Sequence, residues 1–254
     1  MGRLKRLLRP VVGERLSLPW TIVWLILYGP FSMLIRTRYR HLERLPKHGG
    51  VILVTNHVSH VDPFLVAKMV IDAGRTPSFL AKDTIFTVPV VGAAMRGMKQ
   101  IPVRRGTADA RQSLAAAVQA LRDGHVVVLH PEGTVTRDPD GWPMNGKTGA
   151  PRLALLVPEV PVIPVAQWGV QQSIDLYVKK VKLLPRPKHV VSIGEPLDLS
   201  KYHGVEPEPD VLHEVADVIM RRLRHDVAEL RGVPEPSGEL FHWVRPEPKT
   251  GDAA

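Results

Sequence analysis

From residue 51 onward, apolar positions come in short runs set between longer helical patterns. Residues 51–54 (VILV) and 126–129 (VVVL) are unbroken runs of β-branched and aliphatic side chains. Four apolar residues in succession, without alternation, predict strands covered on both faces, as in parallel sheets. Residues 160–166 (VPVIPVA) predict a third strand, with its two prolines placing it at an edge or making it irregular. Residues 175–183 and 189–193 predict two more, and 79–81 and 100–103 are shorter candidates. Between these lie helices. Asp62-Pro63 predicts a helix start, with Asp62 as cap, proline in the first turn and Gly74 as the stop. Residues 107–122 place Leu114, Ala117, Val118 and Leu121 on one face, and Gly124 ends that helix. Residues 147–157 and 209–230 predict the remaining helices. Strand and helix alternate, so the expected fold class is α/β: a mixed, largely parallel sheet flanked by helices.

The N-terminal pattern is different. The twenty residues between Arg15 and Arg36, LSLPWTIVWLILYGPFSMLI, carry no charge. A helix of that length spans a bilayer. Pro19 and the Gly29-Pro30 pair interrupt it, however, and basic residues on both flanks give the positive-inside rule no direction. No small-residue cleavage site follows, so a signal peptide fits poorly. The expectation is an N-terminal apolar helical hairpin bent near Gly29-Pro30 and lying in one leaflet. Trp20, Trp24, Tyr28 and Phe31 then sit near the interface, and the arginines meet anionic headgroups. A buried core hairpin with a solvated basic rim is the alternative. The chain thus divides into a membrane-associating hairpin (1–45), an α/β domain (46–232) and a polar, proline-rich, loosely held tail (233–254).

The 254 residues include no cysteine, which removes disulfides, thiolate metal sites and acyl-cysteine intermediates. A net charge of +9 points first to nucleic acid. Its distribution points elsewhere. Residues 1–50 hold ten Lys/Arg against two acids, whereas the rest of the chain holds 24 basic and 23 acidic residues. The globular part is nearly neutral and the chain is only 6% aromatic, so no nucleic-acid partner is expected. The charge instead favours an anionic membrane surface.

Two of the buried strands end directly in polar clusters. One runs VILV into Thr55-Asn56-His57-Val58-Ser59-His60-Val61-Asp62, the other VVVL into His130-Pro131-Glu132-Gly133-Thr134. Ligands of open α/β sheets bind at the carboxyl ends of strands, so these clusters are the candidate site. If His57 leaves the strand and Asp62 begins the next helix, the turn between them brings carboxylate to imidazole. A carboxylate on one ring nitrogen sets the tautomer and leaves the other as a general base. Other readings stay open. Asp62 can be a helix cap alone. His57, His60 and Asp62 can be metal ligands in a hydrolase. Ser59 can be a nucleophile, although it lacks the flanking glycines of a nucleophile elbow.

The His57-x-x-x-x-Asp62 spacing, within Asn56-His57-Val58-Ser59-His60-Val61-Asp62, resembles the signature of the glycerolipid acyltransferase superfamily. Three further blocks follow in that family's order. Gln100-Ile101-Pro102-Val103-Arg104-Arg105 resembles the second, ending in a phosphate-binding arginine at Arg105. His130-Pro131-Glu132-Gly133-Thr134 resembles the third, and residues 160–165 the fourth, apolar block. The chain is similar to bacterial lysophosphatidic acid acyltransferases (acylglycerol-phosphate acyltransferases), and the four blocks cover residues 51–170. It departs from them in two places. The third block usually opens with an aromatic and closes with arginine, where this chain has His130 and Val135; in the second, Arg104 stands where an acid often precedes the arginine.

The resemblance implies acyl transfer from a thioester, acyl-CoA or acyl carrier protein, to the free hydroxyl of lysophosphatidate. It implies His57 as base oriented by Asp62, and substrate binding by Arg105, Glu132, Gly133 and Thr134, with Lys82 a weaker candidate. Apart from the resemblance, Lys147 at the start of the 147–157 helix can favour an anion there, although a lysine in that place is more often solvated. Glu132 is expected to hold an arginine or the acceptor hydroxyl. No metal and no resident cofactor are implied. The acceptor is a membrane lipid, so the protein is expected to sit monotopically on the cytoplasmic face of the inner membrane. Glycerol-3-phosphate, another lysophospholipid or a glycolipid are the alternative acceptors.

Overall fold

The computed structural model describes residues 17–23, 25–26, 34–103, 110–175 and 179–244. Seven strands form the main sheet: β1 (Arg36–Arg40), β2 (Val51–Thr55), β3 (Pro77–Lys82), β4 (Ile101–Val103), β5 (Val126–Leu129), β6 (Val162–Trp168) and β9 (Lys188–Ile193). Their spatial order is β1-β9-β6-β2-β5-β3-β4. Every neighbouring pair is parallel except β6 with β9. The sheet is therefore mixed and largely parallel, with helices on both sides.

The unbroken apolar runs explain the layering. Successive side chains of a strand point to opposite faces, so a strand covered on both faces must be apolar throughout. In β2, Val51 and Leu53 pack with Val66, Met69 and Val70 of α2 (Asp62–Asp72). Ile52 and Val54 pack on the other face with Leu121 of α4 (Ala110–Arg122), Leu153 of α5 (Gly149–Leu156) and Ile219 and Leu223 of α6 (Pro209–Arg231). Among the described residues the remaining α-helices are α1 (Leu18–Val23) and α3 (Pro89–Gly97).

Several expectations are revised. Residues 36–45 do not belong to an apolar hairpin: Arg36–Arg40 is an edge strand paired with β9 from Arg36↔Lys188 to Arg40↔Ser192. An edge strand tolerates exposed arginines because one side of it faces water. The two-proline run is not at an edge. β6 lies between β9 and β2, buried along nearly its whole length. Pro164 is tolerated because it sits one residue beyond the last β6–β9 pair, Val165↔Ile193, where only an acceptor is used: Gly194 donates its N–H to the Pro164 carbonyl at 2.8 Å. Residues 175–183 do not form one strand. They contribute to a small antiparallel pair, β7 (Ile174–Asp175) with β8 (Lys180–Val181), outside the main sheet. The chain also forms helix α3, for which the pattern gives no expectation.

Both ends of the chain differ from expectation too. The hairpin bend at Gly29-Pro30, with Trp24, Tyr28 and Phe31, lies outside the described residues. Trp20 is buried rather than interfacial and donates its indole N–H to the Met98 carbonyl at 3.2 Å. No helix among the described residues is long and apolar enough to cross a membrane. The first part of the tail is anchored, not loose. Buried Arg224 holds Glu235 at 2.8 Å, and the Trp243 N–H donates to Asn145 Oδ1 at 2.9 Å.

Candidate active site

The polar cluster after β2 begins with a pinned asparagine. Asn56 is fully buried and donates from Nδ2 to the Gln167 carbonyl at 3.0 Å. Gln167 returns two bonds, from its backbone N–H to Asn56 Oδ1 and from Nε2 to the Asn56 carbonyl, each 2.8 Å. This side chain thereby occupies the place of a further ladder rung on β6. The strand stops there and the chain turns out at His57.

The turn is closed by one carboxylate oxygen. Asp62 Oδ2 accepts from Val58 N–H at 2.6 Å and Ser59 N–H at 2.8 Å, and lies 3.0 Å from His57 Nδ1. Asp62 is the first residue of α2, yet it does not cap that helix; Val61 occupies the cap position, and the carboxylate reaches back to the loop. Burial pushes the Asp62 carboxyl up from its ordinary value, against the His57 contact and the two backbone N–H donors that favour its charge. All three partners are nitrogens, so the ionised carboxylate suits them, with His57 Nδ1 as the protonated one. Nε2 of His57 is then the basic nitrogen, and His57 lines a cleft of about 680 Å³.

The second cluster grips the first. Glu132 is buried; its Oε1 accepts the His57 N–H at 2.8 Å and its Oε2 the Met144 N–H at 3.2 Å. Thr136 N–H in turn donates to the His57 carbonyl at 2.7 Å. Both sides of the His57 peptide are therefore held by the loop after β5. Burial raises the Glu132 pKa to about 8, with the two backbone donors pulling it down and the Asp62 charge pushing it up. The sequence leads one to expect Glu132 to hold an arginine or the acceptor hydroxyl; among the described residues it instead accepts the backbone N–H groups of His57 and Met144 and so braces the loop carrying His57. The His130 ring packs 4.3 Å from the His57 ring, tilted 41°. Burial, then the neighbouring His57, keeps His130 well below the ordinary histidine value.

Gly133 (φ +71°), Thr134 and Lys82 all line the same cleft, and a side chain at position 133 would be strained by that left-handed backbone. Lys147 also lines it, tied to the third block by its N–H to the Pro131 carbonyl at 2.8 Å. Arg105 lies outside the described residues. Val135, at the position where the family usually has arginine, is buried, while the Arg137 guanidinium lies 5.6 Å from the centre of the Trp243 ring. Trp243 forms part of the cleft wall, and nothing in its local sequence signals this.

The rival chemistries lose their footing. Ser59 is buried and donates Oγ–H to the Ile174 carbonyl at 3.0 Å, away from a nucleophile's open position. His60 is exposed, and Asp62 Oδ2 is already shared among three nitrogens. Among the described residues, the ligand-type atoms that converge as a metal would need belong to His225, Asp226 and Glu229 on α6, which do not line this cleft.

Comparison with known proteins fits this geometry. The chloroplastic 1-acyl-sn-glycerol-3-phosphate acyltransferase BAT2 of Brassica napus is 31% identical over 138 residues, 53% of this chain and 38% of that protein. The chain thus spans less than two fifths of that relative's length. The 1-acyl-sn-glycerol-3-phosphate acyltransferase of Borreliella burgdorferi is 24% identical over 182 residues, 71% of this chain and 69% of that one. The crystal structure of PlsC, the 1-acyl-sn-glycerophosphate acyltransferase from Thermotoga maritima, matches in fold with a TM-score of 0.57 at 23% identity, covering 85% of this chain and 93% of that one. The sequence profile of the Acyltransferase family matches residues 36–168, from the edge strand β1 through the end of β6 and both polar clusters between them. The chain, matched over more than half its length, belongs to the Acyltransferase family.

Proposed function

We propose that the cleft transfers an acyl chain from a thioester to the free hydroxyl of lysophosphatidate, giving phosphatidate. The observation that carries this reading is the His57 Nδ1–Asp62 Oδ2 pair at 3.0 Å on the wall of an open cleft. Nε2 of His57 takes the proton of the acceptor hydroxyl, and the buried Asp62 carboxylate supports the imidazolium that forms. The hydroxyl oxygen attacks the thioester carbonyl. The tetrahedral intermediate then collapses, the C–S bond breaks, and His57 returns the proton to the departing thiolate. His130 stays neutral beside the imidazolium, so it does not oppose its charge.

The acceptor phosphate is held by cations. Lys82 and Lys147 stand on the cleft wall, and Arg105 is the sequence candidate that adds a bidentate guanidinium. Gly133 and Thr134 border the same space, Gly133 leaving room for close approach. Acyl-CoA or an acyl carrier protein supplies the thioester, and no resident cofactor or metal is needed by these steps. The apolar N-terminal run, bent as a hairpin in one leaflet, keeps the site at the cytoplasmic membrane face where the acceptor resides. Because Val135 replaces the arginine usual in the family, another lysophospholipid or a glycolipid is the second reading for the acceptor.

The test is a panel of acceptors given to the purified full chain with long-chain acyl-CoA or acyl carrier protein. Thiol release with phosphatidate identified by mass spectrometry supports the proposal. Consumption of neither donor with any acceptor, or full activity of His57→Ala, overturns it.

A further inference from the structure

Between the cleft residue Lys82 and helix α3 the chain exposes an unusual run of apolar side chains. Ile85, Val88, Val90 and Val91 are 38%, 48%, 83% and 45% exposed. Exposed apolar residues scattered singly need no explanation; several adjoining ones mark a contact surface.

The run is not exposed through looseness, because its backbone is tied together. Phe86 N–H donates to the Asp83 carbonyl at 2.9 Å, and Gly92 N–H to the Val88 carbonyl at 2.6 Å. Arg96 donates from its guanidinium to the Phe86 carbonyl at 2.9 Å. A Cβ on Gly92 would lie 2.1 Å from the Phe86 carbonyl oxygen, so glycine permits the close approach that shapes the turn. The result is a preformed ledge.

Two relationships identify what covers it. Helix α1, the described end of the N-terminal apolar run, packs on the far end of the same helix: Ser17 Oγ–H donates to the Gly97 carbonyl at 2.9 Å, and Pro19 sits against Gly97. The outward side chains of α1, Leu18 and Ile22, are exposed and apolar as well. Charge points the same way: residues 82–99 contain Lys82, Arg96 and Lys99 against the single acid Asp83. An apolar ledge with a basic border fits an anionic lipid surface.

We infer that residues 85–91 form a second membrane-docking surface, built into the α/β domain and continuous with the N-terminal run, which sets the mouth of the cleft against the bilayer. Lys82 ends β3 on the cleft wall and the ledge begins three residues later. A lipid acceptor can then present its headgroup to His57 while its acyl chain stays in the membrane. The purpose assigned to this surface rests on the lipid-acceptor reading above; its existence does not.

The cysteine-free chain makes the test direct. Val90→Cys in the full chain is labelled with a polarity-sensitive dye and mixed with phosphatidylcholine–phosphatidylglycerol vesicles. Val205→Cys, in the loop before α6, is the control. A blue shift and brightening at position 90 but not at 205 is expected. Separately, Val88→Asp with Val90→Asp should weaken vesicle binding by roughly tenfold or more without lowering the unfolding temperature, since both side chains are exposed. The inference is overturned if the dye at 90 stays unchanged while the protein co-floats with vesicles, or if the protein does not bind vesicles at all. A dye response that rises with protein concentration in the absence of lipid assigns the ledge to a second copy of the chain and overturns it equally. None of these readouts depends on acyl transfer, so failure of the acceptor reading is seen separately in the acceptor panel.

Discussion

Glu132 Oε1 accepts the backbone N–H of His57 at 2.8 Å, across 75 residues of sequence. The contact joins the two polar clusters and makes the position of His57, the proposed base, depend on the loop after β5. Both Glu132 oxygens accept backbone N–H groups that burial would otherwise leave unpaired.

Glu132→Ala removes both acceptors. It is expected to cost about 2–4 kcal/mol of stability and to lower kcat, because the His57 loop loses its brace. Urea unfolding and steady-state kinetics check this; unchanged stability with unchanged kcat refutes the bracing role.

The same residue governs a pH dependence. Its pKa is raised from 4.5 to about 8 in the folded protein. Between those values the folded state holds a proton that the unfolded chain has released. The stabilisation is therefore complete below about 4.5 and is lost as pH rises through about 8, by roughly 1.4 kcal/mol per pH unit in that window. Glu132→Gln cannot titrate and should flatten this part of the stability–pH curve, even though its amide N–H opposes one of the two donors. Urea midpoints at intervals from pH 5 to 8 for both proteins decide it.

Asp62→Asn replaces the acceptor of three N–H groups by an amide that can turn the wrong face to His57. Loss of about 10³–10⁴-fold in kcat is expected, with little change in KM, by analogy with the orienting carboxylate of serine proteases. A loss confined to KM would show that Asp62 acts through substrate binding.

Lys147→Ala and Lys82→Ala each remove a cation from the cleft wall. A roughly tenfold rise in the KM of a phosphorylated acceptor is expected from each, with the thioester KM unchanged. Equal effects on a neutral acceptor would rule out a phosphate contact.

His189 is buried in β9, and burial lowers its pKa from 6.5 to about 3. The unfolded chain gains a proton below 6.5 that the folded state refuses, so stability is lost as pH falls from 6.5 through about 3, by roughly 1.4 kcal/mol per unit. His189→Leu should be less acid-sensitive than the native chain at pH 4.5 and similar to it at pH 7.5. Parallel acid limbs in the two proteins would dismiss the assignment.

Much of this molecule is legible along the chain. The runs 51–54 and 126–129 specify doubly buried strands, because only an all-apolar run can be covered on both faces. The five-residue spacing of His57 and Asp62 allows their pairing, because a turn of that length closes locally, and the structure brings them to 3.0 Å. Local pattern and turn chemistry reach about that far. The bond from Asn56 to Gln167 spans 111 residues, and the bond anchoring Trp243 beside the cleft spans 98. Such contacts depend on which strands become neighbours. The sheet order puts β6 and β5 on either side of β2, so Gln167 stops the strand at Asn56 and Glu132 braces His57. The same order recruits Arg36–Arg40 as an edge strand and turns the two-proline segment into a central one. Periodicity determined which residues are buried and which chemistry stands at the strand ends. Only the tertiary structure decided what holds that chemistry in place, because side chains far apart in sequence meet only after the sheet has chosen its neighbours.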